Sequence, residues 1–412
     1  MNENMKSVEQ WPTAGESNLN RRLWFLLAGF VIMLFAGSIY AWSVLKQPFS
    51  REFGWSAGDL GLNFTVLMCC FCIGGVIGSL IQKKLGFHWT VIGSALLAGI
   101  GYFMVSRLRS GGVVSLYIAY GGLCGLGIGA VYSLVISCVI GWFPDHRAGA
   151  SGVLMMGFGA SSLLVGSAAR ILFSSIGWRS FFGYLAASTA GVIAICAIII
   201  RPVSISAGKN TVDSAQGDEL SVSETLKKAS FWLFYVFSIL IACVGNSVIS
   251  FAKDFSVFSG APESFAVALA GMLAVSNGFG RILSGILYDK LGKKKTLPLA
   301  ATICVIANGI CLWSAWTRNM ALNSLGLILV GISYGFMPPL TSGFIAQTYG
   351  KKNFATNFSI VNTMLLFASS MATVTGKILD RSGSYPMVFT LLLASSLLGL
   401  LTSFFINKIG DK

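Results

Sequence analysis

The chain has 412 residues, of which 55% are hydrophobic and only 11% charged, and it carries a net charge of +14. An average soluble domain has about 25% charged residues, so this composition excludes an ordinary soluble fold and implies an integral membrane protein. The positive balance does not point to nucleic acid, because Lys and Arg gather in alternate loops between apolar runs, as the positive-inside rule requires.

Residues 1–22 are polar and lack the apolar core of a cleavable signal, so a cytosolic N-terminal tail is expected. Twelve apolar runs follow, at 23–44, 60–81, 89–106, 113–140, 151–172, 181–200, 230–252, 265–288, 296–315, 322–346, 357–376 and 385–407. Each is near the length of about 20 residues that a helix needs to cross the hydrocarbon. Backbone groups in lipid must be satisfied within the segment, so the runs are predicted to be helices. The one long polar insertion, 201–229, separates a six-span half at 23–200 from another at 230–407, and 408–412 is a short tail. Within the insertion, Ser221 and Glu224 have the spacing of a capping box and predict a short surface helix before span seven.

An even number of spans puts both termini on one side. The loops on that side carry Lys83 and Lys84; Arg201, Lys209, Lys227 and Lys228; Lys290, Lys293, Lys294 and Lys295; and Lys351 and Lys352. The opposite loops carry fewer, among them Arg107, Arg109, Arg179 and Arg318. Both termini are therefore expected in the cytosol, with the protein in the plasma (inner) membrane. The nine cysteines all fall in apolar stretches, with neither zinc-site spacing nor the loop positions of a disulfide framework, and read as packing residues. No cofactor motif is present, and no nucleophile–base pair, phosphate loop or metal-ligand cluster falls in the spans, so neither a cofactor nor an enzyme is expected.

The two halves look duplicated. "GSLIQKKLG" at 78–86 is matched 206 positions later by "SGILYDKLG" at 284–292, and at the same offset Gly125 and Gly129 match Gly331 and Gly335. Span eight carries Arg281, eight residues before Asp289 and therefore about 12 Å inside the helix end. An unpaired Arg at mid-membrane costs about 2.5–3.5 kcal/mol on insertion scales, so it needs an explanation. Glu52, Asp59, Asp145, Asp254, Glu263, Asp289 and Asp380, together with the acids of the tails and linker, lie outside the span cores. Arg281 thus reads as the lone core charge, facing a cavity and free to bind an anion. Asn277 and Ser284, one turn to either side, share its face. Phe279, Ile282, Leu283 and Ile286 read as packing or lipid contacts. Tyr40, Trp42, Tyr132, Tyr334 and Asn362 are further inward-facing candidates, and Pro338–Pro339 predicts a kink in span ten. The two histidines, His88 and His146, fall in loops.

The loop Gly285–Lys294, "GILYDKLGKK", resembles the loop motif of the major facilitator superfamily, with Gly285, Asp289, Lys290, Gly292 and Lys293 at the motif positions and Lys83 replacing the acid in the first half. "AGSIYAWSVLKQPF", "GIGAVYSLVISCVIGWFPDHRAGASGVLMMGFGAS" and "NGFGRILSGILYDKLG" are similar to the oxalate/formate antiporter family and the related monocarboxylate transporters. That resemblance implies two pseudo-symmetric six-helix bundles and alternating-access carriage of a small carboxylate anion, coupled to a proton or a counter-anion. It also implies pocket aromatics at Tyr132 and Tyr334. Where oxalate carriers have a lysine in span eleven, Leu365 stands here, which favours a monocarboxylate of the lactate, pyruvate or formate type over oxalate. Lys46 is two positions from the outer lysine of the monocarboxylate transporters and is the candidate coupling group. A dicarboxylate exchanger and a carboxylate sensor without flux are the alternatives. The expected partners are the anion, its co-ion and lipid; a monomer suffices, because two packed halves already form a pathway.

Overall fold

The computed structural model describes residues 19–109, 112–202, 220–350 and 352–409. Residues 1–18 of the expected tail, most of the linker with Lys209, Lys351, and 410–412 lie outside the described residues. Eleven helices are long and apolar enough to cross a membrane. One of them, Glu263–Thr317, runs for 55 residues and contains Gly292 at φ 68° and ψ 178°, a backbone conformation that L side chains avoid. That glycine of the loop motif breaks the helix into two limbs, and the twelve expected spans result.

We number the spans α1 (Leu19–Leu45), α2 (Gly58–Leu85), α3 (Phe87–Ser106), α4 (Val114–Ile140), α5 (Arg147–Ser175), α6 (Gly177–Ile199), α7 (Ala229–Phe258), α8 (263–291), α9 (293–317), α10 (Met320–Thr348), α11 (Phe354–Leu379) and α12 (Tyr385–Ile406). Two short helices lie outside them, Gln47–Phe53 and Val222–Lys227. In the second, Ser221 Oγ accepts the Glu224 N–H at 3.2 Å and the Ser221 N–H donates to Glu224 Oε2 at 2.7 Å, so the expected capping box is formed. No strand occurs among the described residues. All nine cysteines are free, and Cys72, Cys124, Cys138, Cys243, Cys304 and Cys311 are buried.

The duplication is visible in the packing. A Cβ on Gly125 would overlap the Leu67 carbonyl, and one on Gly331 would overlap the Leu273 carbonyl; both pairs are 206 apart. The same holds for Gly129 on Phe71 and Gly335 on Asn277, and for Gly74 on Leu126 and Gly280 on Ile332. In each half, small residues let the second and fourth helices approach backbone to backbone, the packing that drives helix association where lipid offers no hydrophobic gain.

The halves meet along two seams, which run from mid-membrane to the face carrying the start of α1, the end of α12 and the α6–α7 connection. We call this the terminal face and its opposite the far face. On the α2–α11 seam, Lys83 Nζ donates to Asn353 Oδ1 at 2.8 Å, the Ser79 and Thr356 hydroxyls pair at 2.8 Å, and Ser359 pairs with Ser133 at 2.8 Å. On the α5–α8 seam, Asp289 accepts the Ala148 N–H at 3.0 Å and the Gly149 N–H at 2.7 Å, and Gly285 packs on the Ala148 carbonyl. Beyond the level of Arg281 and Asn362, no hydrogen bond or ion pair crosses between the halves toward the far face among the described residues. The polar contacts between the halves thus gather on the terminal side of Arg281 and Asn362.

Candidate anion-binding cavity

Local irregularities in α1, α10 and α11 converge where the seams end, and a further one lies in α4 toward the far face. In α1 the helix tightens to a 3-10 turn over Gly37–Ala41, where a Cβ on Gly37 would overlap the Phe158 carbonyl. This turn carries Tyr40. In α11 a break at Thr363 separates Phe354–Asn362 from Met364–Ser382. α10 contains Pro338 and Pro339, and the first part of α4 is a π-helix over Tyr117–Cys124. Such departures put backbone and side chains out of helical register and often mark binding sites.

Between them is a cavity of about 30 Å³, lined by Tyr40, Tyr132, Phe158, Ala242, Arg281, Tyr334, Met337, Pro338, Asn362, Met364 and Leu365. At ~10–15 Å³ per water, it holds two or three water-sized groups. Arg281 is 6% exposed, and its guanidinium lies against α5, where Nη1 donates to the Met155 carbonyl. It has no carboxylate partner among the described residues. Gly159 makes room for it: a Cβ there would stand 3.1 Å from Nη1 and 3.3 Å from Cζ. Two buried donors in the lining, Arg281 Nε and Asn362 Nδ2, have no hydrogen-bond partner. Buried polar groups are seldom left this way, and the pair calls for an acceptor.

The aromatic groups are held from behind. Phe158 packs against Tyr40 at 5.1 Å and Tyr132 at 4.8 Å between ring centroids, and Phe71 and Phe358 enclose Tyr132 from its other sides. Tyr334 occupies the space that a side chain on Gly245 would fill, and its hydroxyl donates to Asn246 Oδ1 at 3.0 Å. The remaining wall, from Ala242, Met337, Pro338, Met364 and Leu365, is apolar.

Five of the seven residues expected at a binding site therefore share one cavity. Asn277 does not line it; its backbone packs against Gly331 and Gly335 of α10. Trp42 and Lys46 are also absent from the lining: Trp42 Nε1 donates to the Leu60 carbonyl at 3.0 Å, and Lys46 lies in the turn between α1 and the short helix Gln47–Phe53. Ser284 donates to the Phe336 carbonyl at 2.8 Å and serves helix packing. Phe279 and Ile286 are exposed on the outer side of α8, whereas Ile282 and Leu283 are half-buried. The sequence reading also missed Asn246, Phe158 and Ala242. Arg281 is not the lone charge of the span windows either: Arg170 falls within span five as well, on an exposed part of α5.

At the loop motif, Asp289 caps the N-terminus of α5, where peptide dipoles favour an anion. Lys290 is exposed, and Lys293 stands over the Phe344 ring at 6.0 Å. In the first-half copy, a lysine cannot accept helix N–H groups, so Lys83 pairs instead with the side-chain oxygen of Asn353 beside the start of α11.

A sequence profile of the Major Facilitator Superfamily matches residues 25–373. The chain belongs to this superfamily. Curated relatives spanning most of its length include an uncharacterized MFS-type transporter, YhjX, of Escherichia coli (strain K12), 23% identical and covering 84% of this chain and 85% of that one. Monocarboxylate transporter 4 of Mus musculus is 25% identical, with 97% and 87% covered. The oxalate:formate antiporter of Oxalobacter formigenes is 22% identical, with 85% and 84% covered. Among solved structures, the proton:xylose symporter XylE superposes with a TM-score of 0.70 at 15% identity, covering 93% of this chain and 95% of that one. FucP in its outward conformation gives 0.67 at 15%, with 93% and 98% covered. The major facilitator fold is thus shared, and the chain is a membrane transporter, not an enzyme.

Proposed function

We propose that this transporter moves small monocarboxylate anions across the plasma (inner) membrane by alternating access, with the terminal face in the cytosol. The observation that carries the proposal is Arg281, a buried guanidinium without a carboxylate in a cavity that also holds an unpartnered Asn362 Nδ2. A carboxylate satisfies a guanidinium through paired charge-assisted hydrogen bonds. The apolar wall suits a one- to three-carbon body. Leu365 in that wall disfavours a dianion, whose second carboxylate would be desolvated without compensation. The basic loops listed above belong to the terminal face, which supports its cytosolic assignment. No Asp, Glu or His lines the cavity. A proton would therefore travel with the substrate, or one anion would exchange for another; flux with either a pH gradient or a preloaded anion distinguishes them.

Uptake of labelled lactate, formate and oxalate into proteoliposomes tests the reading. Saturable lactate or formate movement is expected, reduced at least a hundredfold in Arg281→Ala while that variant still purifies as a folded monomer. Undiminished movement in Arg281→Ala refutes the assignment.

A further inference from the structure

A second space lies behind the anion cavity. It is a groove of about 350 Å³ between α2 and α11, walled by Cys69, Cys72, Ile73, Val76 and Ile77 on one side and by Thr363 and Leu366 on the other. Both stretches fall near the middle of their spans, and Ile73 and Ile77 are 51% and 46% exposed, so the rim faces hydrocarbon. The groove and the cavity share a wall. Along α11, Asn362, Met364 and Leu365 line the cavity, whereas Thr363 and Leu366 line the groove.

The polar atoms of the groove are already engaged. The Thr363 hydroxyl donates to the Ile360 carbonyl at 2.7 Å and pairs with the Tyr235 hydroxyl at 2.7 Å, and Cys72 Sγ donates to the Asn362 carbonyl at 3.6 Å. The Cys69 thiol is at most a weak donor. Such walls offer an occupant dispersion contacts and no charge. The volume falls within the range of about 300–1,000 Å³ typical of ligand clefts. Seven lining side chains are too few for a protein partner, since a stable interface takes about 20–30 residues a side.

We propose that this groove binds one acyl chain of a bilayer phospholipid, lodged between the two halves of the transporter. A gap beside packed side chains forfeits dispersion contacts, and a flexible hydrocarbon chain restores them without displacing a hydrogen bond. The chain touches α2 of one half and α11 of the other, behind the break at Thr363 that separates the two limbs of α11.

The test reconstitutes the full chain in phosphatidylcholine vesicles doped with a phosphatidylcholine whose acyl chain carries a diazirine, and maps the photoadducts by peptide mass spectrometry. Adducts on 69–77 and 363–366 are expected about fivefold more often per residue than at exposed aliphatic side chains of α6 such as Ile195 and Ile198, and should saturate at a single chain per molecule. Val76→Trp and Ile77→Trp, made separately, fill the groove and are expected to cut its labelling about fivefold. Labelling of α6 should stay unchanged in both, which also shows that each variant is folded in the membrane. Ile195→Trp should leave the groove signal at the wild-type level. Adducts spread evenly over the exposed aliphatic surface would overturn the site, as would full groove labelling in both filled variants. Labelling by a diazirine fatty acid and not by the phospholipid would overturn the phospholipid assignment. Cross-links between copies through the groove would give it to a second molecule of this chain instead. None of these readouts depends on which anion the cavity carries.

Discussion

Tyr334 and Asn246 illustrate how a site residue depends on one outside the lining. Tyr334 presents its ring to the cavity, but its hydroxyl proton is committed to Asn246 Oδ1 at 3.0 Å. The phenol oxygen is thereby fixed in position, its remaining lone pair directed by the bond. Asn246→Ala removes the acceptor and frees the phenol proton to donate to a bound carboxylate, so the KM of the carried anion should fall, by about 1 kcal/mol or roughly fivefold. Because the two residues act as a unit, Asn246→Ala adds little to Tyr334→Phe, and a double-mutant cycle on KM reads the coupling. Additive effects would separate them. Arg281 was legible in the sequence, because a charge inside an apolar run announces itself by its insertion cost. Asn246 was not: an amide in α7 near Ser247 and Ser250 has no distinguishing pattern until α7 is packed against α10. Asn277 misled for a related reason. Sharing a helical face with Arg281 is necessary for lining the same cavity, but the close approach of Gly331 and Gly335 uses that part of the face for helix contact.

At the level of elements, the spans followed from apolar length, and the short helix Val222–Lys227 from its capping box. The irregular segments left weaker traces, because a 3-10 turn at Gly37–Ala41 and a π-helix at Tyr117–Cys124 keep the same apolar composition as an α-helix. Far-face order depends on a contact between distant elements. Glu52, on the short helix Gln47–Phe53, accepts from Trp178 Nε1 at 2.7 Å and Arg179 Nη1 at 3.2 Å at the start of α6, and Arg179 also reaches the Leu108 carbonyl at 3.3 Å. Hydrogen bonds from Arg179 and then Trp178 hold the Glu52 carboxyl below its ordinary pKa. A group whose pKa is lowered by folding contributes stability above its unfolded value, near 4.5, and loses it as pH falls through the lower folded value. The thermal midpoint in detergent should therefore drop more for wild type than for Glu52→Gln between about pH 5 and about pH 3. The difference should be modest, since both partners are part-exposed and surface pairs contribute about 0–1 kcal/mol. Parallel pH curves would show that the clamp contributes nothing.

For the whole molecule, the two seams are unequal copies of one contact. Position 83 plus 206 is 289, so Lys83 and Asp289 are equivalent, yet only Asp289 can accept the N–H groups at the start of the facing helix. The α5–α8 seam accordingly carries a carboxylate on helix N–H groups, and the α2–α11 seam a lysine–amide bond followed by a row of hydroxyl pairs. If the halves rock as rigid bodies, weakening either seam at the terminal face opens both. Asp289→Asn replaces one acceptor with a donor facing a donor and removes the charge from the helix N-terminus, a loss of about 1–2 kcal/mol. That shifts the balance toward the state open at the terminal face by roughly fivefold to thirtyfold. Thr356 is 3% exposed in the other seam, bonded to Ser79 and untouched by the substitution. Thr356→Cys should therefore be labelled by an impermeant maleimide from the terminal face faster in the Asp289→Asn background, above the rate of the native cysteines. Bound substrate should slow the reaction if the anion draws the halves together around Arg281. Labelling that ignores position 289 would mean that the seams open separately, and rigid-body rocking about the cavity would then fail for this transporter.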